Sequence, residues 1–194
     1  MELLRNPLEK AALKNKNDYP KKISLPIKLI YFGRLNSTEK GLEYLLNNLP
    51  EDFNFIFHIF GDGPDEKKLK AQIDRLGLNN KIKLMGKLPW EKLMSIISSY
   101  DVFVLPSFSY ENAPLSIVEA SYAGLFILTM DYGGMKELAE IVGNYFFINP
   151  INKEKLKKVL YNITETQFLN PNISPFSEDT FKKSLLFYIT FIKN

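Results

Sequence analysis

The sequence predicts an α/β fold, a Rossmann-like three-layer α/β/α arrangement around a mostly parallel sheet of about six strands. Three observations carry this. Short apolar runs recur along the chain, segments with helical spacing of apolar residues lie between them, and the runs are nearly continuous in apolarity. Continuous runs mark strands covered on both faces, and their alternation with helices marks parallel crossover units.

Residues 1–26 are polar and rich in Lys and Asn, and read as a linker or N-terminal arm in which NPLEKAALKNKN can form a short helix capped by Asn6. IKLIYF is the first strand, ending at Gly33, and GLEYLLNNL follows with Leu42, Leu45, Leu46 and Leu49 at helical spacing. FNFIFHIF is the second strand, ending at Gly61. Pro64 then starts a helix through about Leu76, with Gly77 as its stop. KIKLMG is a short alternating strand, and PWEKLMSIISSY is a helix with Pro89 in its first turn. DVFVLP is a buried strand, followed by the helix LSIVEASYAG, closed by Gly124. LFILTM, GGMKELAEIVG and YFFI continue the rhythm as strand, helix and strand. NKEKLKKVLYNI is an amphipathic helix, and DTFKKSLLFYITFIKN is a final one. The expected division is thus an arm at 1–26, a Rossmann-like domain at 27–170 and a C-terminal crossing helix at 171–194.

Composition narrows the function. At 194 residues, 45% hydrophobic and 24% charged, the chain suits one domain with a full core. With no cysteine it has no disulfide, iron–sulfur cluster, thiolate zinc site or cysteine nucleophile. His58 is the single histidine, so no two-histidine metal site exists. A net charge of +3 does not argue for nucleic acid. No apolar run reaches the roughly 18–20 residues of a membrane span, and a cytoplasmic location is expected.

In a doubly wound sheet the ligand crevice lies beyond the carboxyl ends of the strands, where strand order reverses, so the loops after strands carry the chemistry. GRLNSTEKG follows the first strand. Arg34 leaves the strand end and Lys40 is expected in the first turn of the next helix, with Ser37 or Thr38 as cap. Two cations beside free helix N–H groups suit a diphosphate; an exposed Arg and Lys on a loop is the alternative. After the second strand, Gly61 and Gly63 of GDGP permit close approach of a ligand, with a plain strand-to-helix turn as the alternative. Neither G-x-G-x-x-G nor a P-loop pattern is present there, so neither a dinucleotide-binding dehydrogenase nor a P-loop NTPase is supported. His58 alternates within an aromatic strand and reads as a satisfied core histidine.

PSFSYENAPLSIVEASYAG, after the fourth strand, is the densest segment. Glu111 lies in the loop before the helix that Pro114 begins, and Glu119 lies eight residues on, inside that helix. Leu115, Ser116 and Ile117 present their N–H groups at the helix mouth, where a phosphate is held. Glu119, about one turn in, can accept two neighbouring sugar hydroxyls, as the acid of dinucleotide folds does. Its apolar neighbours predict partial burial, and a buried carboxylate needs a partner; a solvated helix face is the alternative. In DYGGMKE, Gly133 and Gly134 allow close backbone approach before Glu137, whose alternative is a plain acid at a helix N-terminus.

These segments resemble the C-terminal, nucleotide-sugar-binding half of the glycosyltransferase family 4 enzymes (glycosyl transferases group 1), which have the GT-B fold. GRLNSTEKG, FGDGP, IKLMGKLPWEKL, DVFVLPSFSYENAPLSIVEASYAG and DYGGMKEL stand in family order and spacing over residues 27–150. Glu111 and Glu119 match the family's two glutamates separated by seven residues. The resemblance implies that Arg34 and Lys40, with backbone amides of Leu115 and Ser116, hold a donor diphosphate, and that Glu119 binds the ribose. It implies that Glu111, as catalytic residue, sits near the donor sugar, and that the backbone of Met85, Gly86 and Lys87 meets the base. Gly33, Gly61, Gly63, Gly133, Gly134 and Glu137 would shape the donor loops. Further implications are a UDP- or GDP-sugar donor, retention of anomeric configuration, a glycan, lipid or other acceptor, and no metal or other cofactor.

Departures are visible too. Asn112-Ala113-Pro114 stands where many relatives have a glycine-rich turn, and Leu125-Phe126 replaces the usual small residue and proline. The family's acceptor-binding N-terminal domain is expected to be missing. RNPLEKAALKNKND resembles the tail of the interdomain linker, and the last helix, with Phe181, Leu185, Phe187 and Phe191, resembles the one that crosses to the other half. The expectation is therefore a donor-binding half that works with an acceptor-binding domain or partner chain, through which alone it would associate with a membrane. A stand-alone nucleotide-sugar binding module without turnover is the alternative. A structural remnant with an uncovered apolar surface is a third reading.

Overall fold

The computed structural model describes residues 23–111 and 114–168. The expected helix near Asn6, the closing helix at 171–194, and Asn112 and Ala113 lie outside the described residues. Six strands form one sheet: β1 (Ile27–Phe32), β2 (Phe55–Phe60), β3 (Ile82–Gly86), β4 (Val102–Leu105), β5 (Phe126–Thr129) and β6 (Tyr145–Phe147). All neighbouring pairs are parallel, in the order β3-β2-β1-β4-β5-β6. The helices between and after them are α1 (Leu42–Asn48), α2 (Glu66–Arg75), α3 (Trp90–Ile97), α4 (Leu115–Tyr122), α5 (Gly133–Val142) and α6 (Lys153–Glu165). This is the doubly wound α/β fold that the sequence predicts.

Burial explains why the apolar runs become strands. Every residue of β4 and β5 is buried, and every residue of β1 except Lys28, so helices cover both faces of the sheet centre. The outer strands β3 and β6 are only partly buried. Helices α1 and α2 pack on one another, as do α4 and α5. The core takes Leu42, Leu45 and Leu46 from α1, and Leu156, Val159, Leu160 and Ile163 from α6. Ile23, within the expected arm, is also buried in this core.

The chain runs outward from β1 to β2 and β3, then returns through α3 to β4 on the other side of β1. Leu29 pairs with Val102 and Ile30 with Phe103 at this reversal. The start of the pair is pinned by Asp101, whose backbone N–H donates to the Lys28 carbonyl at 2.8 Å, while its carboxylate accepts from the Lys28 N–H at 2.9 Å. Loops leaving the other ends of β1 and β4 therefore face one another across the crevice of a doubly wound sheet.

Two helix starts differ from the sequence expectation, for one shared reason. Asp65 accepts hydrogen bonds from the Ser37 N–H at 2.7 Å and the Ser37 hydroxyl at 2.8 Å. Ser37 is thereby spent across the loops and does not cap α1, which begins only at Leu42, after Gly41. Lys40 thus precedes the helix instead of lying in its first turn. On the other side, Pro64 and Asp65 form a turn, and α2 begins at Glu66.

Candidate functional site

The β1 and β4 loops are fastened to one another by their backbones. The N–H groups of Phe108 and Ser109 both donate to the Glu39 carbonyl, at 2.8 and 3.1 Å. This clasp brings Lys40 to Glu111, and the two side chains form an ion pair through Glu111 Oε1. The same oxygen accepts from the Ser107 hydroxyl at 3.0 Å, and Ser107 is fully buried. The pair is neither exposed nor sealed, with side-chain exposures of 23% for Lys40 and 21% for Glu111. A cation held this way can exchange its carboxylate for an incoming anion.

Beneath the pair lies Tyr31, fully buried at the end of β1. Its hydroxyl donates to the Arg34 carbonyl at 2.9 Å and so fixes the loop from which Arg34 projects. Burial, and then the negative charge of Glu111, push its phenol well above the ordinary value. Arg34 itself is exposed, and among the described residues its guanidinium has no carboxylate partner.

Beside Arg34 opens a cavity of about 610 Å³ at the ends of β1, β2 and β3, with walls that include Phe32, Leu88 and Leu93. At its edge Asp62 and Lys87 form an exposed ion pair at 3.2 Å. Gly61 and Gly63 also line it, but their need for glycine comes from the protein. A Cβ on Gly61 would lie 1.9 Å from the Gly33 carbonyl oxygen, and one on Gly63 would lie 2.4 Å from that of Leu35. The GDGP turn is thus packed backbone-to-backbone on the loop carrying Arg34. Of the expected base-proximal residues, Lys87 lines the cavity, Gly86 gives its carbonyl to the Gly61 N–H at 3.0 Å, and Met85 is 43% exposed outside the lining.

Helix α4 starts after the buried Pro114. The Ile117 N–H returns to the Pro114 carbonyl at 2.9 Å, while the first two amides, of Leu115 and Ser116, have no intrahelical acceptor by position. One turn in, Glu119 is half-buried and accepts from the Trp90 indole N–H at 3.0 Å. Burial raises its carboxyl above the usual range, and the Trp90 hydrogen bond opposes that rise. Partial burial of Glu119 was predictable from its apolar neighbours; its partner was not, because α3 reaches it only through the tertiary fold.

The glycine pair before α5 also has a local task. The Gly134 N–H donates to the Glu111 carbonyl at 2.9 Å, and the Tyr110 ring lies 3.3 Å from where a Cβ on Gly133 would stand. The Tyr132 hydroxyl donates to the Ser107 carbonyl at 2.6 Å. The start of α5 therefore braces the segment that presents Glu111, and Glu137 stands exposed on the same helix. Sequence reasoning passed over Ser107, Tyr31, Trp90 and Tyr132. Of these, only Trp90 carried a signal, as the lone tryptophan at a helix start.

His58 is half-buried, with Nδ1 at 2.7 Å from the Tyr100 hydroxyl, and burial followed by the charge of Lys83 lowers its pKa. It is a structural histidine, as the strand pattern indicates. Among the described residues no three His, Cys, Asp or Glu side chains come together as metal ligands, and no helix is long and apolar enough to cross a membrane. Lys40 and Glu111 thus meet at the reversal of strand order. Arg34 lines the cavity beside the same β1 loop, and the open end of α4 and the Trp90–Glu119 pair stand on α3 and α4.

Comparisons with known proteins match this architecture. A sequence model of the glycosyl transferases group 1 matches residues 14–174. An uncharacterized glycosyltransferase of Methanocaldococcus jannaschii is 28% identical over 173 residues, covering 84% of this chain and 44% of its own length. The lipopolysaccharide outer core galactosyltransferase WaaB, in its apo form, shares the fold with a TM-score of 0.71 at 21% identity, over 90% of this chain and 52% of that one. HepE of Anabaena, in complex with UDP and glucose, has a TM-score of 0.63 at 26% identity, over 72% of this chain and 39% of that one. The chain therefore spans about half, or less, of the length of the relatives it matches.

Proposed function

This chain belongs to the glycosyl transferases group 1, and from that premise we propose that it is the donor-binding half of a retaining glycosyltransferase that needs no metal ion. The acceptor-binding half would come from another stretch of chain or a partner, and the donor would be a nucleoside diphosphate sugar. The solved structures of HepE with UDP, and with UDP and glucose, support this donor class by likeness.

The observation that carries the reading is the convergence at the strand-order reversal. Lys40 and Arg34 leave one side of the β1/β4 junction, and Glu111 and the mouth of α4 leave the other. In transfer, the bond between the sugar's anomeric carbon and the diphosphate oxygen breaks, a bond to an acceptor oxygen forms on the same face, and the acceptor hydroxyl's proton passes to the departing diphosphate oxygen. Negative charge grows on the departing diphosphate. Arg34, Lys40 and the amides of Leu115 and Ser116 would meet that charge with groups already in place, which is how preorganised electrostatics lowers a barrier. Glu111, held by Lys40 and Ser107, would face the donor sugar, and Glu119 would take the ribose hydroxyls. The cavity beside Arg34 would receive the base.

Calorimetry with UDP, GDP and their sugars tests this. Binding that weakens about tenfold or more in Arg34→Ala, the loss of one charged contact, is the expected result. Binding unchanged in that variant would move the site elsewhere, and no binding of either nucleotide would end the proposal.

A further inference from the structure

The bond between Trp90 and Glu119 joins two elements that nothing else in the function requires to touch. Trp90 opens α3, directly after the segment whose Lys87 and Leu88 line the cavity, and Leu93 of the same helix lines it too. Its ring packs partly buried against the core, while its N–H reaches across to Glu119 on α4. Glu119 is half-buried and has no cationic partner among the described residues. A glutamate's terminal torsion is soft, so a carboxylate without an anchor samples many orientations. A hydrogen bond to a charged acceptor is among the stronger anchors available.

We propose that Trp90 is the positioning residue of the sugar-hydroxyl subsite: its indole N–H holds one oxygen of Glu119 and leaves the other aimed at the hydroxyls of the bound nucleotide's ribose. This rests on the reading of Glu119 as the ribose acid. Trp90 touches no part of the nucleotide in this arrangement. It acts through Glu119, and its effect falls on discrimination between ribose and deoxyribose.

The experiment compares UDP and GDP with their 2′-deoxy analogues in the parent protein, in Trp90→Phe and in Glu119→Ala, by calorimetry. Trp90→Phe keeps an aromatic ring against the core and removes the N–H donor. The parent is expected to prefer the ribonucleotide by about tenfold, the worth of one hydrogen bond to a charged group. In Trp90→Phe that preference falls to about threefold or less, while affinity for the 2′-deoxy analogue stays within about twofold. Equal weakening of both analogues, with the preference intact, would mark Trp90 as mere packing and overturn the proposal. If the preference survives in Glu119→Ala, the ribose reading itself fails and Trp90's role falls with it.

A second measurement needs no variant. Trp90 is the only tryptophan in the chain, so any change in tryptophan emission is assigned to its surroundings, the Glu119 hydrogen bond among them. Saturating UDP or GDP is expected to shift the emission more than the 2′-deoxy analogue does. Identical responses would count against the proposal even if Trp90→Phe did not fold.

Discussion

The Lys40 ammonium and the Glu111 carboxylate meet at the reversal of strand order, although 71 positions separate them in the chain. The meeting depends on the Glu39 carbonyl, which takes two N–H groups from the opposite loop and leaves the next residue facing Glu111. Under the proposed function, a donor diphosphate would take the Lys40 ammonium from the Glu111 carboxylate. That arrangement separates the two residues' contributions to binding.

Lys40→Met is expected to weaken UDP binding by about tenfold or more, as one charge-assisted contact is lost. Glu111→Gln is expected to bind UDP at least as tightly as the parent, because the ammonium no longer has to leave a carboxylate. Calorimetry at low salt reads both. Parent-like affinity in Lys40→Met would leave the pair with a structural role only.

Glu119 gives the protein a pH-dependent stability whose sign follows from its surroundings. Its carboxyl is raised above the ordinary 4.5, chiefly by burial, with the Trp90 hydrogen bond opposing. The folded state therefore holds that proton more tightly than the unfolded one. The stabilising contribution is complete below the unfolded value and is lost as pH rises through the folded one. At neutral pH the ionised group costs stability. Glu119→Gln, which keeps an acceptor for Trp90, should melt a few degrees higher than the parent near neutrality and no higher once both are uncharged in acid. Thermal melts across that range decide it, and a pH-independent difference would show that charge is not the cause.

Gly61→Ala should be severe. The backbone there is at φ +147°, and a Cβ would stand 1.9 Å from the Gly33 carbonyl oxygen. Backbone has to move, at a cost of about 2–4 kcal/mol, in the range of strained or overpacked sites. Gly77→Ala is the comparison, at φ +66° but with nothing within 4 Å of the added atom, so only the left-handed backbone cost of about 1–2 kcal/mol applies. Denaturant midpoints of the two variants should rank in that order; equal midpoints would show that the β1 loop yields easily to GDGP.

The strands were legible because their code is local. Ile27 to Phe32 and Phe126 to Thr129 are apolar at nearly every position, and only a sheet covered on both faces buries such runs. The helix starts were less so. Ser37 reads locally as a cap for the helix after β1, yet its hydroxyl is bound by Asp65, 28 residues away. Gly61 and Gly63 read either as room for a ligand or as a plain strand-to-helix turn, and the space beside each is taken by the Gly33 and Leu35 carbonyls. Arg34, Lys40, Glu111 and Glu119 stand out by position after strands, but the bonds that Lys40, Glu111 and Glu119 make do not follow from spacing.

By itself, then, the sequence determined the alternation of strand and helix, the absence of thiol chemistry and the loops on which charged residues would stand. Apolar burial period and residue type decide those matters within a few neighbours along the chain. Only the tertiary structure decided that Lys40 would face Glu111 and that Trp90 would hold Glu119. Each of those contacts joins loops or helices that come together when the crossover through α3 sets β4 beside β1, and hydrogen bonds form between whatever polar atoms that packing leaves within reach.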